Sequence, residues 1–408
     1  MPTVVLLGTL DTKGREYAFV AERLIRAGTD VVVVDVGVLG HHSWSADVSA
    51  EEVAAAAGEE LARLQQAHEG ADARAAALAT MQRGAARIVA RLRAEGRCDG
   101  ILGLGGSGGT AVITAVMRTL PFGVPKVMVS TMASGDIGPY VGSSDICMMH
   151  SVTDIAGLNR ISIPILTNAA AAMAGMVLAE PSEEFRADRQ AIGVTMLGVT
   201  TVGALRIVEG LENAGFDAIV FHAVGSGGRA LEELVEQGVI TGVIDFTIKE
   251  ITDDVHGGVF NAGNRRLLGA TEKGVPQVIV PGAIEVLNFG ALDTVPERFR
   301  TADRPLVEHN PQVTAVRLTV DELKMVANEL AARLNRAVGR IHIVIPTKGF
   351  DSYATPGGPF ADQAADHVFI EQLESRLRLD IPVTRIPAHI NDARFADAVM
   401  ETFLGLVN

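Results

Sequence analysis

Two glycine loops with the same wording carry the most chemical content in this 408-residue chain. Gly106-Ser107-Gly108-Gly109 and Gly225-Ser226-Gly227-Gly228 lie 119 residues apart. The first, extended by Gly105 and Thr110, follows the apolar run 100–104; the second follows Ala218-Ile219-Val220-Phe221-His222. Each run reads as a buried strand introduced by an Asp-small pair, Asp99-Gly100 or Asp217-Ala218, and each loop leads into a helix-like stretch. A strand, glycine turn and helix in succession present backbone N–H groups at the positive end of the helix, and glycine lets an anion approach the main chain. For either loop alone, a tight turn with close helix–strand packing is the alternative, because such patterns are weakly specific. Two loops at equivalent places in two similar half-chains favour a phosphate-bearing ligand.

A third segment, Leu7-Gly8-Thr9-Leu10-Asp11-Thr12-Lys13-Gly14, closes the first strand and opens the first helix. Ligands of open α/β sheets bind outside the carboxyl ends of the strands, which favours this position. Lys13 offers a point charge to a phosphate, while Thr9, Thr12 and Asp11 can bind phosphate or a hydrated metal. It is not a Walker A loop, since no Gly-Lys-Ser/Thr triplet occurs. A capped helix start with a solvated Lys13 is the alternative.

Gly103-x-Gly105-x-x-Gly108 formally fits the dinucleotide fingerprint but follows the third strand, and the next strand ends in Val129-Ser130 rather than an acidic ribose ligand. Asp35 does end a strand in that manner, but the loop before its helix lacks the glycine pattern, so an NAD-type reading fails in part while a nucleotide phosphate site survives. Ser130-Thr131-Met132-Ala133-Ser134-Gly135-Asp136 can complete an anion nest beside the other loops, a stretch of turns with Ser/Thr capping being the alternative. In the second half, Thr247–Gly258 contains Glu250 and Asp253, either of which can hold Mg²⁺ or act as a general base. For Asp253 and Asp254 a solvated charged loop is the alternative. The histidines lack metal-ligand spacing, His41-His42 being adjacent.

The elements that must position these residues alternate strand and helix. Thr3–Gly8, 31–36, 101–104 and Lys126–Ser130 read as short buried strands separated by helices over 15–27, 51–66, 73–95 and 110–120. Pro181–Gln190 is charged and non-periodic, after which the pattern restarts with strands at 191–197, 218–222, 242–246, 277–280, 341–345 and 382–386. Asn391 reads as the N-cap of the last helix. The chain is 48% apolar with only 4% aromatic residues and a net charge of −14. That composition suits a close-packed parallel α/β protein and disfavours nucleic acid, which needs basic surface or stacking platforms. No run reaches the roughly 18–20 apolar residues of a membrane span. No signal peptide is legible at the amino terminus, and Cys98 and Cys147 suggest neither a disulfide framework nor zinc. A cytoplasmic protein is expected.

Leu10-Asp11-Thr12-Lys13-Gly14, the 105–110 loop, Ser130–Asp136, Pro281-Gly282-Ala283 with Asn288-Phe289-Gly290, and His309-Asn310-Pro311 together resemble the bacterial relatives of the tomato mosaic virus resistance protein. The resemblance spans essentially the whole chain. It implies an ATP-binding domain of two Rossmann-like subdomains with a tendency to form homodimers.

The expectation is therefore an α/β protein with subdomains at 1–182 and 191–408, a linker at 183–190, and a cleft between them holding a small metabolite. ATP, with Mg²⁺, is expected on Thr9, Thr12, Lys13, Gly105, Gly106, Ser107, Gly108, Gly109, Thr110, Ser134, Gly135, Gly225, Ser226, Gly227 and Gly228. Asp11 is assigned to the metal, Lys13 to phosphate charge, and Glu250 to the base of a phosphoryl or nucleotidyl transfer. The alternative is a non-catalytic module in which ATP stabilises a closed, dimeric, protein-binding form. A sugar- or acid-binding protein without nucleotide is the third reading.

Overall fold

The computed structural model describes residues 1–39, 44–66, 71–179 and 189–407, without the side chains of 71–73. Most of the expected linker, and the His41-His42 pair, lie outside the described residues. The chain divides into two compact units, Met1–Ser182 and Glu183–Asn408. Both are α/β, each built on a parallel sheet, as the alternating pattern predicts.

The first unit runs β1 (Thr3–Gly8), α1 (Leu10–Arg26), β2 (Asp30–Asp35), α2 (Ala50–Ala56), α3 (Leu61–Gln66), α4 (Ala71–Ala94), β3 (Gly100–Gly105), α5 (Ser107–Met117), β4 (Lys126–Ser130), α6 (Gly138–Val141), β5 (Cys147–His150) and α7 (Ser162–Leu178). The strands are ordered β2-β1-β3-β4-β5. Strand alternation sorts β1 between two cores: Val5 and Leu7 pack with residues of α2, α4 and α5, while Val4 and Leu6 pack with residues of α1 and α7. All four are fully buried, worth roughly 1.5–3 kcal/mol each relative to exposure. The helix expected over 51–66 is two helices, α2 and α3, broken at Gly58 with its φ of +85°.

One buried phenol fixes the geometry on which the site depends. The Tyr17 hydroxyl donates to the Leu7 carbonyl at 2.7 Å and accepts from the Leu104 N–H at 2.7 Å, tying α1 to the seam between β1 and β3. Burial pushes its acidity far below the usual phenol, so the donor stays protonated.

The second unit runs β6 (Ala191–Met196), α8 (Thr201–Asn213), β7 (Asp217–His222), α9 (Ser226–Glu236), β8 (Gly242–Thr247), α10 (Glu250–His256), α11 (Leu268–Lys273), β9 (Gln277–Gly282), β10 (Val286–Phe289), β11 (Leu306–Asn310), β12 (Val313–Arg317), α12 (Val320–Leu334), β13 (Ile341–Pro346), α13 (Gln363–Arg376), β14 (Val383–Ile386) and α14 (Ala393–Val407). Its parallel sheet is ordered β14-β13-β9-β8-β6-β7. A separate antiparallel sheet, β10-β12-β11, is absent from the sequence reading. Asn391 is not the N-cap of α14: its carboxamide accepts from Gly203 N–H and donates to the Val199 carbonyl.

Both units open identically, with β1-α1-β2 matched by β6-α8-β7. Each first helix ends at an alanine followed by a left-handed glycine, Gly28 or Gly215. The next strand, β3 or β8, then pairs with the other side of the first. In strand order, β1, β2 and β3 correspond to β6, β7 and β8.

Candidate functional site

In the first unit the chain leaves β1 toward β2 on one side and β3 on the other, so β1 and β3 flank a topological switch point. Segments after these strands line one cavity of about 320 Å³. The turn after β1 contributes Thr9, Asp11, Thr12 and Lys13; the turn after β3 contributes Gly106, Ser107, Gly108 and Gly109. The structure thus brings together eight of the residues singled out from sequence. Val36, Val38 and Leu39 after β2, Arg74 and Leu78 of α4, and Asp154 complete the walls.

The first turn of α5 faces this cavity without a side-chain cap. Helix geometry leaves its leading N–H groups without intrahelical acceptors, at the positive end of the helix. Its glycines are not imposed by packing. A Cβ on Gly106, Gly108 or Gly109 would meet no atom nearer than 3.7 Å, and none of the three has a positive φ. The missing side chains leave the main chain of this helix start open to close approach from the cavity.

Opposite, α1 does not start as one smooth helix. Lys13 has φ −132° and ψ 21°, which separates a first turn from the body of the helix. Its ammonium donates to the Ile155 carbonyl at 2.9 Å. The Asp11 carboxylate accepts from Leu39 N–H at 2.9 Å through Oδ2, while its buried Oδ1 has no partner among the described residues. An orphaned carboxylate oxygen beside an uncapped helix start fits Mg²⁺, which takes one or two carboxylates together with phosphates and water. No group of three or more metal-ligating side chains occurs among the described residues.

Other expected residues fall elsewhere. Gly105 and Thr110 are buried behind the loop: the Thr110 hydroxyl pairs with Ser130 at 2.6 Å, and a Cβ on Gly105 would lie 2.9 Å from Thr110 N. Ser134 and Gly135 are exposed and do not line the cavity. Asp35, the acidic strand end, turns its carboxylate onto the Leu10 and Gly37 N–H groups.

The second glycine loop corrects the reading most. It follows β7, the counterpart of β2, so the two loops do not occupy equivalent places. The counterpart of the first loop is the segment after β8, and that segment delivers Glu250. Its Oε1 accepts from Gly225 N–H at 2.6 Å and from Gly228 N–H at 3.2 Å. Its Oε2 accepts from Arg266 Nε at 2.6 Å. The anion on Gly225-Ser226-Gly227-Gly228 is therefore the chain's own carboxylate. Glu250 is wholly buried and ion-paired, which removes it as a general base facing substrate.

Arg266 also holds Asp245 through both terminal nitrogens, at 2.6 and 2.5 Å, and Glu232 at 3.3 Å. Burial alone would lower the guanidinium's pKa, but Asp245 and Glu250 outweigh it and hold it well above the ordinary value. Burial raises the Glu232 carboxyl against the pull of Arg266. Asp253 is no solvated loop residue either: it sits in α10, fully buried, paired with Lys249. The neighbouring Asp254 pairs with Arg333.

Val36 to Leu39 were within reach of the sequence reading, since every strand end borders the crevice. Arg74 and Asp154 carry no motif, and only the folded chain brings them to the site. No helix of the described residues is long and apolar enough to cross a membrane.

Fold and site together define a two-unit parallel α/β protein with an uncapped glycine helix start at the switch point of its first sheet. The chain belongs to the uncharacterised protein family UPF0261, whose amino-terminal domain matches residues 2–182 and whose carboxyl-terminal domain matches residues 189–407. A UPF0261 protein of Clostridium tetani is 41% identical over 99% of this chain and 98% of its own length. One from Rhizobium meliloti is 43% identical over the full length of both. The ToMV resistance protein Tm-1 of Solanum lycopersicum is 37% identical over 99% of this chain, which spans 55% of that protein. A solved structure of Acinetobacter baumannii MurG aligns with a TM-score of 0.22 and 12% identity, too low for any argument.

Proposed function

We propose that the first unit binds ATP, together with Mg²⁺, along the Gly106–Gly109 helix start and the Thr9–Lys13 turn. The observation that carries this reading is a glycine trio that packing does not demand, facing the same cavity as Lys13 and Asp11. Backbone N–H groups of α5 receive phosphate oxygens, and the Lys13 ammonium adds charge by sharing its bond to Ile155. Asp11 Oδ1 is the oxygen that would hold Mg²⁺, which supplies charge neutralisation at the phosphates when bound. Phosphoryl or nucleotidyl transfer would further need an oriented acceptor and a base, and Glu250 is sealed in its ion network. Binding without turnover, with ATP as a stabilising ligand, is therefore the form of the proposal.

Calorimetry with ATP, with and without Mg²⁺, tests it while ADP and AMP are followed in the same sample. Micromolar binding tightened by Mg²⁺ is expected, without product. Lys13→Ala should weaken ATP about tenfold, or about 1.4 kcal/mol, and leave adenosine unchanged. No heat at millimolar ATP would remove the nucleotide reading. Product formation in proportion to protein would restore the transferase.

A further inference from the structure

The second unit holds another cavity, of about 250 Å³, that the nucleotide reading does not use. Two phrases of sequence otherwise without a role, Asn288-Phe289-Gly290 and His309-Asn310-Pro311, meet there. Asn288 lies on β10 and His309 on β11, the outer strands of the antiparallel sheet, and both line the cavity. The β11–β12 register shifts between Glu308 and Asn310, so His309 sits at an irregularity of the kind that re-aims side chains beside sites. Leu197, Val199, Val224, Phe260, Val286 and Val313 form apolar walls.

The polar groups are few. Asn288 is 5% exposed, and its side-chain Oδ1 is buried with no hydrogen-bond partner among the described residues. A buried acceptor left unpaired costs about 1–3 kcal/mol, which a ligand presenting an N–H donor would relieve, while the Nδ2 of the same carboxamide can donate in return. His309 Nδ1 and the Tyr353 hydroxyl pair at 2.9 Å, with His222 and Asn310 nearby on the lining. Among the described residues no Lys, Arg, Asp or Glu lines the cavity. The Lys249 ammonium, 4.8 Å from the Phe260 ring centroid, is fully buried and neutralised by Asp253. The N–H groups of Gly225 and Gly228, just beyond Val224, are taken by Glu250. A phosphate or carboxylate would find no permanent cation, only the His222 and His309 imidazoles, and His309 already pairs with Tyr353.

We propose that this cavity is a second small-molecule site, selective for an uncharged, largely apolar molecule bearing a planar amide or lactam edge that pairs with Asn288. Its volume sets a limit near a single substituted ring, at the low end of ligand pockets.

Benzamide is the probe, read by methyl resonances of Val199, Val224, Val286 and Val313 in the full chain, with benzoate, inorganic phosphate and ATP as comparators. Benzamide should shift these methyls saturably below about 10 mM, a weak affinity fitting so small a ligand. Asn288→Leu, close in volume, should weaken benzamide about tenfold. Gly198→Leu gives an independent block, because Gly198 lines the cavity and a Cβ there would meet no atom within 4 Å. It should abolish the shifts while leaving the fold intact. Benzoate binding as tightly as benzamide, or phosphate or ATP moving the same methyls, would overturn the uncharged class. Failure of benzamide to shift them at all would overturn the site. ATP binding through the first unit can stand or fall separately.

Discussion

A Cβ on Gly106, Gly108 or Gly109 would meet nothing nearer than 3.7 Å, whereas on Gly227 or Gly228 it would lie 2.0 Å from the His222 carbonyl or 2.2 Å from the Glu250 carboxylate. Gly225 adds a φ of +88°, a conformation that only glycine adopts cheaply. The same four-residue phrase is thus permissive in one unit and obligatory in the other. The difference follows from what stands in front of each helix. Beyond α5 is a cavity; beyond α9 is an internal carboxylate held by a buried arginine. The uncapped N–H groups at the second helix start are satisfied from inside the chain; the proposed function would satisfy those of the first from outside it.

Removing the internal anion should have the largest effect. Glu250→Ala leaves two loop N–H groups and part of the Arg266 guanidinium unpaired in a dry interior, at a cost of about 3–5 kcal/mol. Urea unfolding followed by a probe in the second unit reads this. A loss under about 1 kcal/mol would mean the carboxylate is incidental to the loop, and the contrast would fail. Gly228→Ala acts on the same place more gently. Its methyl would displace Glu250 and Arg266 together, costing about 1–3 kcal/mol in the same measurement.

Alternation of apolar strands and periodic helices made the parallel sheets legible, since that pattern reports burial on two faces directly. The place of the turn after β1 on a cavity wall was legible too, because a strand end at the switch point borders the crevice whatever its neighbours. The antiparallel sheet was not: its strands are short, the β11–β12 hairpin turns through Pro311-Gln312 without a glycine signal, and β10 pairs with β12 only across a long stretch of chain, from Phe289–Thr314 to Val286–Arg317. The misreading of the second loop has a similar cause. Local wording suggested equivalence, yet equivalence depends on strand order, and β7 lies at the sheet edge while β3 lies inside. Nor could spacing show that Glu250, 22 residues beyond Gly228, would fold back onto its N–H.

The sharpest test is the substitution with the smallest effect on the fold. Gly108→Ala places a methyl in ordinary contact with Leu78, 3.7 Å away, in the first turn of α5. Alanine also lowers the conformational freedom of the unfolded chain, so stability should hold or rise, by up to about 0.5–1 kcal/mol. ATP affinity should nevertheless fall, because the methyl stands on the wall from which the N–H groups reach a phosphate. Calorimetry on a variant shown by urea unfolding to be at least as stable as the parent separates the two effects. Unchanged ATP affinity there would leave the open glycines of the first loop with no ligand to explain them, and would reduce that loop to a turn.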